Sequence, residues 1–285
     1  MIPLAELKQD LDLNKSLGSI IETMKTGSAI MLREFQSKAK APDTLFKMLK
    51  DCFKTIAEKG SVKHPLFFGD DNLPSCIVMI TSDDGFVGEL NTFIINAALE
   101  EKKKESDEIV VLGERGANFF EDRNEAFTSF PGISENIKPM EIAGLKKHMI
   151  KGFFEKRFGR VVVVYPESSN VGSWKVNTAE LLPFNTSVIS DGAAARVIDE
   201  ELIIEPSMES VAEGLVHLWL NVALYNIFWA CKFSEFGARL MQLEGSEQEL
   251  MRMKQQLSLQ YFKHVHAAAD TTIREILSAR LGIKS

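Results

Sequence analysis

Apolar residues recur at helical spacing near the start of the chain. Leu13, Leu17, Ile20, Met24, Gly27 and Met31 follow one another at intervals of four and three, the pattern of a coiled-coil seam. No proline interrupts Leu4 to Ala41, so the run reads as one helix of 38 residues, about 57 Å long at ~1.5 Å per residue. Pro42 breaks or kinks it, and helical periodicity resumes from Leu45 to Ala57.

The middle of the chain changes period. Runs at 75–81, 108–112 and 160–165 are rich in Val and Ile and alternate with helical stretches near 89–103, 114–123 and 141–157. Near-continuous apolar strands separated by helices are what a parallel sheet covered on both faces requires. Further strand candidates lie near 174–182 and 202–204.

Beyond Pro206 there is no proline, and helix from Ser207 to Leu281 would run 75 residues, or roughly 110 Å. Its seam comprises Phe236, Leu240, Leu243, Leu250, Leu257 and Tyr261, with Glu247 and Lys254 at the two remaining positions. Charges at seam positions call for a partner or a polar channel there. The expected architecture is therefore α/β: a Rossmann-like domain at 61–205, flanked by a long antiparallel coiled coil of an N-terminal helical arm (1–60) and a C-terminal long helix (206–285).

Composition narrows the function. The chain has 285 residues, 45% hydrophobic and 26% charged, with a formal charge of −7. Residues 61–205 hold 15 basic against 24 acidic side chains, which is no footprint for nucleic acid. Cys52, Cys76 and Cys231 are scattered and show neither disulfide nor zinc spacing. The N-terminus lacks the order of a signal peptide, and Leu215 to Cys231, the most membrane-like stretch, carries His217, Asn221 and Asn226 and reads as a buried helix.

Candidate chemistry is thin. The segment Thr81 to Asn91 sits where a phosphate-binding turn would sit, but its glycines, Gly85 and Gly88, are three apart, and Asp83, Asp84 and Glu89 put negative charge where a phosphate would arrive. A structural turn with acidic capping is the simpler reading. His264 and His266 fall on different faces of a helix, and no GxxxxGK[ST] occurs, so no metal site, cofactor or catalytic residue is indicated. The Lys102-Lys103-Lys104 run reads as a solvated helix end.

Several motifs resemble a known family. Met24-Lys25, Ser28-Ala29, Leu32-Arg33 and Gln36 are similar to the N-terminal signature "AMKMVSAAKLRRAQ" of the γ subunit of F-type ATP synthases. Thr81-Ser82-Asp83, Gly85, Gly88 and Leu90-Asn91 resemble its "TSDRGLCGGLN", and Glu205-Pro206 its "YEP" step into the final helix. Ser234-Glu235, Ala238-Arg239-Leu240-Met241 and Glu244 resemble "SEHAARMVAMEN", and Tyr261, Lys263 and Ala267-Ala268 echo "YNKARQAAI". The order matches over almost the whole chain. Val265-His266 stand where the family has Arg-Gln, Phe262 replaces an Asn, Leu202 and Ile204 replace the foot tyrosines, and Asp84 and Glu89 replace a basic residue and a glycine. These departures fit a divergent member, such as a paralogue from an alternative ATPase operon.

The resemblance implies a non-catalytic rotor shaft. Its expected partners are the α and β subunits, the ε subunit and the membrane c ring, at the cytoplasmic face of a bacterial inner membrane. It implies that Met24, Lys25, Arg33, Gln36, Glu235, Arg239 and Glu244 face the ring or lock the helices together, and that Glu205 contacts the membrane ring. A different class of function, a small-molecule-binding α/β sensor or enzyme with a coiled-coil dimerisation segment, would require a pocket near Asp83 and Asn91. A purely structural coiled-coil adaptor would form a stable homodimer.

Overall fold

The computed structural model describes residues 3–37, 43–59, 65–170, 172–184 and 205–282. The strand candidate at 202–204, with Leu202 and Ile204, and the break at Pro42 lie outside them. The elements are α1 (Leu4–Ser37), α2 (Asp43–Lys59), β1 (Ser75–Ile80), α3 (Leu90–Glu101), β2 (Glu108–Leu112), α4 (Glu114–Asp122), β3 (Thr128–Phe130), α5 (Pro139–Phe154), β4 (Arg160–Asn170), β5 (Ser173–Leu182) and α6 (Met208–Gly282). The chain divides into two compact units, Met1–Ala29 with Leu240–Ser285, and Ile30–Arg239. This division differs from the three consecutive segments read from the sequence, because α1 and α6 each contribute to both units.

In the larger unit the five strands are ordered β3-β2-β1-β4-β5. β1 pairs in parallel with β2 and β4, and β2 pairs in parallel with β3. β5 departs from the expected parallel pattern: it folds back antiparallel along β4. The three-residue β3, Thr-Ser-Phe, is too short and too polar to stand out as a strand in the sequence.

Both sheet faces are covered, which is why the central strands are apolar at every position. Ile77, Met79, Ile109, Val111 and Val164 meet α3 and α4 through Leu90, Ile94, Ala98 and Phe120. On the opposite face Val78, Ile80, Val110, Val161 and Val163 meet α5 through Leu145 and Met149, and α6 through Leu220, Leu224 and Phe228. By length and composition alone α6 could cross a membrane. Its apolar stretch nonetheless packs Val216, Leu220, Leu224, Ile227 and Cys231 into this core. From Ile227 to Arg239 every residue is buried.

One corner is fixed by backbone donors and acceptors. Asp107 accepts the N–H groups of Ser75 (2.7 Å), Lys103 (2.9 Å) and Lys104 (2.8 Å), tying the end of α3 to the start of β1. Burial works against the ionised carboxyl, but these three donors and the Lys104 charge outweigh it and hold its pKa below the usual carboxylate value. Lys104 is more than a solvated lysine: its ammonium donates to the carbonyls of Asp71, Asn72 and Leu73 at 2.7–3.2 Å.

Two substitutions separate a required glycine from a replaceable one. At Gly113 φ is +96°, and a Cβ would stand 2.3 Å from the Thr81 carbonyl oxygen. Gly113→Ala is expected to destabilise the chain by more than about 1 kcal/mol in urea unfolding. Gly144, inside α5 with open space around it, should gain up to ~1 kcal/mol as Gly144→Ala. Asp107→Asn should cost about 1–3 kcal/mol at neutral pH. Because the folded-state pKa of Asp107 is depressed, its contribution is present above the unfolded value of 3.8 and lost as pH falls through the lower folded value. Stability measured from pH 5 down to pH 2 should therefore decline less steeply in Asp107→Asn.

Candidate functional site

The smaller unit pairs the start of α1 with the later part of α6. Asn14 donates its amide to the Leu250 carbonyl (3.2 Å), and the Lys25 ammonium donates to Glu247. Pairing a rising number on one helix with a falling number on the other makes the helices antiparallel. On α6, Leu243 is fully buried, and Glu247, Leu250, Leu257 and Tyr261 are half-buried at the expected seam positions. Lys254 is exposed, and Glu247 finds its partner in Lys25.

On α1 the seam differs from the expected one. Leu7, Leu11, Asn14, Gly18, Ile21, Lys25 and Ser28 turn inward, while Leu13, Leu17 and Ile20 are 57%, 42% and 56% exposed. Hydrophobicity pointed to the wrong stripe because the inward one is half polar or small. Asn14 and Lys25 are satisfied by partners on α6. The seven-residue spacing of Leu7, Asn14, Ile21 and Ser28 is the signal that would have found it.

The Lys25 pKa is raised, chiefly by the hydrogen bond to Glu247 with the charges of Glu244 and Glu22 adding to it. Lys25 therefore stays charged throughout the neutral range, and its contribution persists until pH rises past the ordinary lysine value.

In the larger unit, Lys232, Glu235 and Arg239 share one face of α6 at i, i+3 and i+7, each 6% exposed. Glu235 accepts from Lys232 (2.8 Å) with one oxygen and from Arg239 (2.7 Å) with the other. Arg239 also donates to the Gly85 carbonyl (3.2 Å) and stands 3.8 Å from Asp84, and so joins α6 to the loop after β1. Its guanidinium lies 5.6 Å from the Phe236 ring, which packs on Phe35 of α1 at 5.7 Å, and Trp229 donates to the Phe35 carbonyl at 3.1 Å. Lys232 was not anticipated as a member of this network.

The loop itself is occupied by its own backbone. Asn91 accepts the Ser82 N–H and donates to the Ser82 hydroxyl, and Asp83 accepts the Glu114 N–H at 3.1 Å. Acidic capping thus occurs at α4, whereas Glu89 makes no side-chain cap at α3. The Thr81 hydroxyl donates to the Leu112 carbonyl (2.9 Å) and accepts the Gly116 N–H (3.0 Å). The cavity beside Thr81, Ser82 and Glu235 measures about 10 Å³, room for one water at most. Burial pushes the Cys76 and Cys231 thiols up, so neither is a nucleophile at neutral pH.

Among the described residues this arrangement ties α6, the loop after β1 and α4 to one another. A family profile described as ATP synthase matches residues 3–280. The chain belongs to the ATP synthase gamma-chain family. It is 26% identical to the ATP synthase gamma chain of Halothermothrix orenii and 26% identical to that of Geobacter metallireducens, in each case over 100% of both chains. The fold matches the Euglena gracilis mitochondrial ATP synthase rotor (TM-score 0.63, 17% identity, 93% of this chain and 98% of that one). It also matches the central stalk of the Tetrahymena thermophila enzyme (TM-score 0.57, 20% identity, 80% and 99%).

The gamma-family signature residues sit in three settings. Lys25, Glu235 and Arg239 are held in the pairs above, and Met24 is half-buried beside the helix seam. Arg33, Gln36, Glu244 and Glu205 are exposed. The contrast between buried and exposed pairs has a measurable consequence. Glu235→Gln leaves buried Lys232 without a carboxylate and buried Arg239 with only the exposed Asp84 at 3.8 Å, and should cost about 3–5 kcal/mol in urea unfolding. Lys25→Met breaks a partly exposed pair and should shift the unfolding midpoint far less than Glu235→Gln does, by an amount that shrinks further in high salt.

Proposed function

We propose that this chain is the central shaft of a rotary F-type ATP synthase, linking ion flow through a membrane c ring to the catalytic sites of a ring of α and β subunits, with an ε subunit as a further partner. The chain itself is a non-catalytic part of that assembly. It is peripheral within a membrane-bound complex, and we place it at the cytoplasmic face of a bacterial inner membrane.

One observation carries the reading beyond family membership: an outward apolar ridge. Leu13, Leu17 and Ile20 lie at i, i+4 and i+7 on a helix whose own seam is already satisfied elsewhere, so burying them requires a surface from another subunit. On α6, Met251, Leu259 and Phe262 are likewise 56%, 65% and 58% exposed. An antiparallel pair suits torque because bending it must break seam packing. Each shaft orientation then favours a different conformation in each surrounding subunit, by an amount limited by differential contact energy.

Within this reading Lys25 locks α1 to α6, supported by its pair with Glu247, and Glu235 and Arg239 hold α6 to the loop after β1, supported by the bond from Arg239 to the Gly85 carbonyl. Met24, Arg33, Gln36 and Glu244 face the ring, supported by the exposure of the last three, and exposed Glu205 meets the membrane ring. Co-purification with the α, β and ε subunits encoded by its genomic neighbours should succeed, and recovery of none of them would remove the assignment. In that complex, replacing Leu13, Leu17 and Ile20 together with Ser should leave the unfolding midpoint of the isolated chain within ~1 kcal/mol of wild type and lower coupled ATP turnover severalfold. Unchanged turnover would show that the ridge meets no partner.

A further inference from the structure

A groove of about 470 Å³ runs between α5 and α6 in the larger unit, away from the loop after β1. Pro139, Ala143 and Lys146 wall it on one side, Asn221, Val222 and Tyr225 on the other, and Ile142 forms its floor. The α5 residues and the α6 residues each follow i, i+3, i+4, i+7 stripes, the latter beginning at Leu218. Met140, next to Pro139 on α5, is 80% exposed, and Leu218, one turn before Asn221 and Val222 on α6, is 44% exposed. Two helix stripes with an apolar trough between them have the shape that a third amphipathic helix fills, and methionine at the rim adapts to varied side chains.

Charge selects the occupant. Lys146 makes no ion pair or hydrogen bond with any described residue, and it is the one charged side chain among the residues that line the trough. Residues 138–157 carry six basic and two acidic side chains, in a segment, 61–205, that is otherwise strongly acidic. We propose that this groove docks an amphipathic helix from a partner protein, its apolar stripe in the trough and a carboxylate on Lys146. An anionic lipid surface is disfavoured, since the acidic remainder of the segment would be repelled from it while one lysine is held toward it. The proposal does not depend on the shaft reading: it requires only a partner with that chemistry.

Photo-cross-linking tests it. Ala143→p-benzoylphenylalanine is introduced, and the chain is purified from its host by a tag in whatever complex it forms, then irradiated and digested for mass spectrometry. The expected product joins position 143 to one segment of another polypeptide, with apolar residues three and four apart and an Asp or Glu within a turn of the adduct. Adding Lys146→Glu should lower the yield at least about fivefold, and Lys146→Arg should hold it within about twofold, with complex composition and thermal midpoint unchanged in both. An adduct with lipid, with this chain itself or with a segment lacking acidic residues overturns the proposal, as does no adduct or a yield indifferent to the sign at position 146. Loss of the α and β subunits from the purified complex would count against the shaft reading alone.

Discussion

A helix that is buried on every side must settle its charged side chains without water, and α6 between Ile227 and Arg239 is under that constraint. The carboxylate of Glu235, shared by Lys232 and Arg239, is how the chain meets it. The same guanidinium grips the Gly85 carbonyl, so the solution to a desolvation problem also fixes the loop after β1 to the helix. A salt bridge of this kind is poor evidence of stability in itself, because hydrophobic residues of similar volume pack as well or better. What it supplies is a single register between helix and loop.

The loop after β1 illustrates how a sequence resembling a ligand-binding turn serves structure. The segment follows a strand and precedes a helix, as a phosphate cradle would, yet Ser82, Asp83 and Asn91 spend their hydrogen bonds on neighbouring backbone and side chain. Thr81 bridges the end of β2 to α4 through one hydroxyl. The position at a strand's carboxyl end is shared with nucleotide-binding folds, and the chemistry is not.

Much of the fold was legible because long periodic segments with few interruptions leave little choice of secondary structure. β1, β2, β4 and α1 to α6 appear within a few residues of where periodicity puts them. The direction of β5 was not legible, since strand propensity carries no information about which neighbour a strand joins or which way it runs. The α1 seam failed for a different reason. Leu13, Leu17 and Ile20 are more hydrophobic than Asn14, Gly18 and Lys25, and a reading that ranks residues by apolarity assigns the inner face to the wrong stripe. Glu247, by contrast, announced itself as a charge in need of company, though nothing in the linear sequence named Lys25.

That misassigned stripe bears on how such a protein is made in the cell. A monomer leaving the ribosome carries a sticky, greasy flank that its own folding does nothing to hide, and free copies will tend to clump through it. Production in step with the subunits that cover it, or escort by a chaperone, follows from three side chains on one helix. An excess of this chain over its companions is then a hazard, and its proteolytic clearance an advantage to the host.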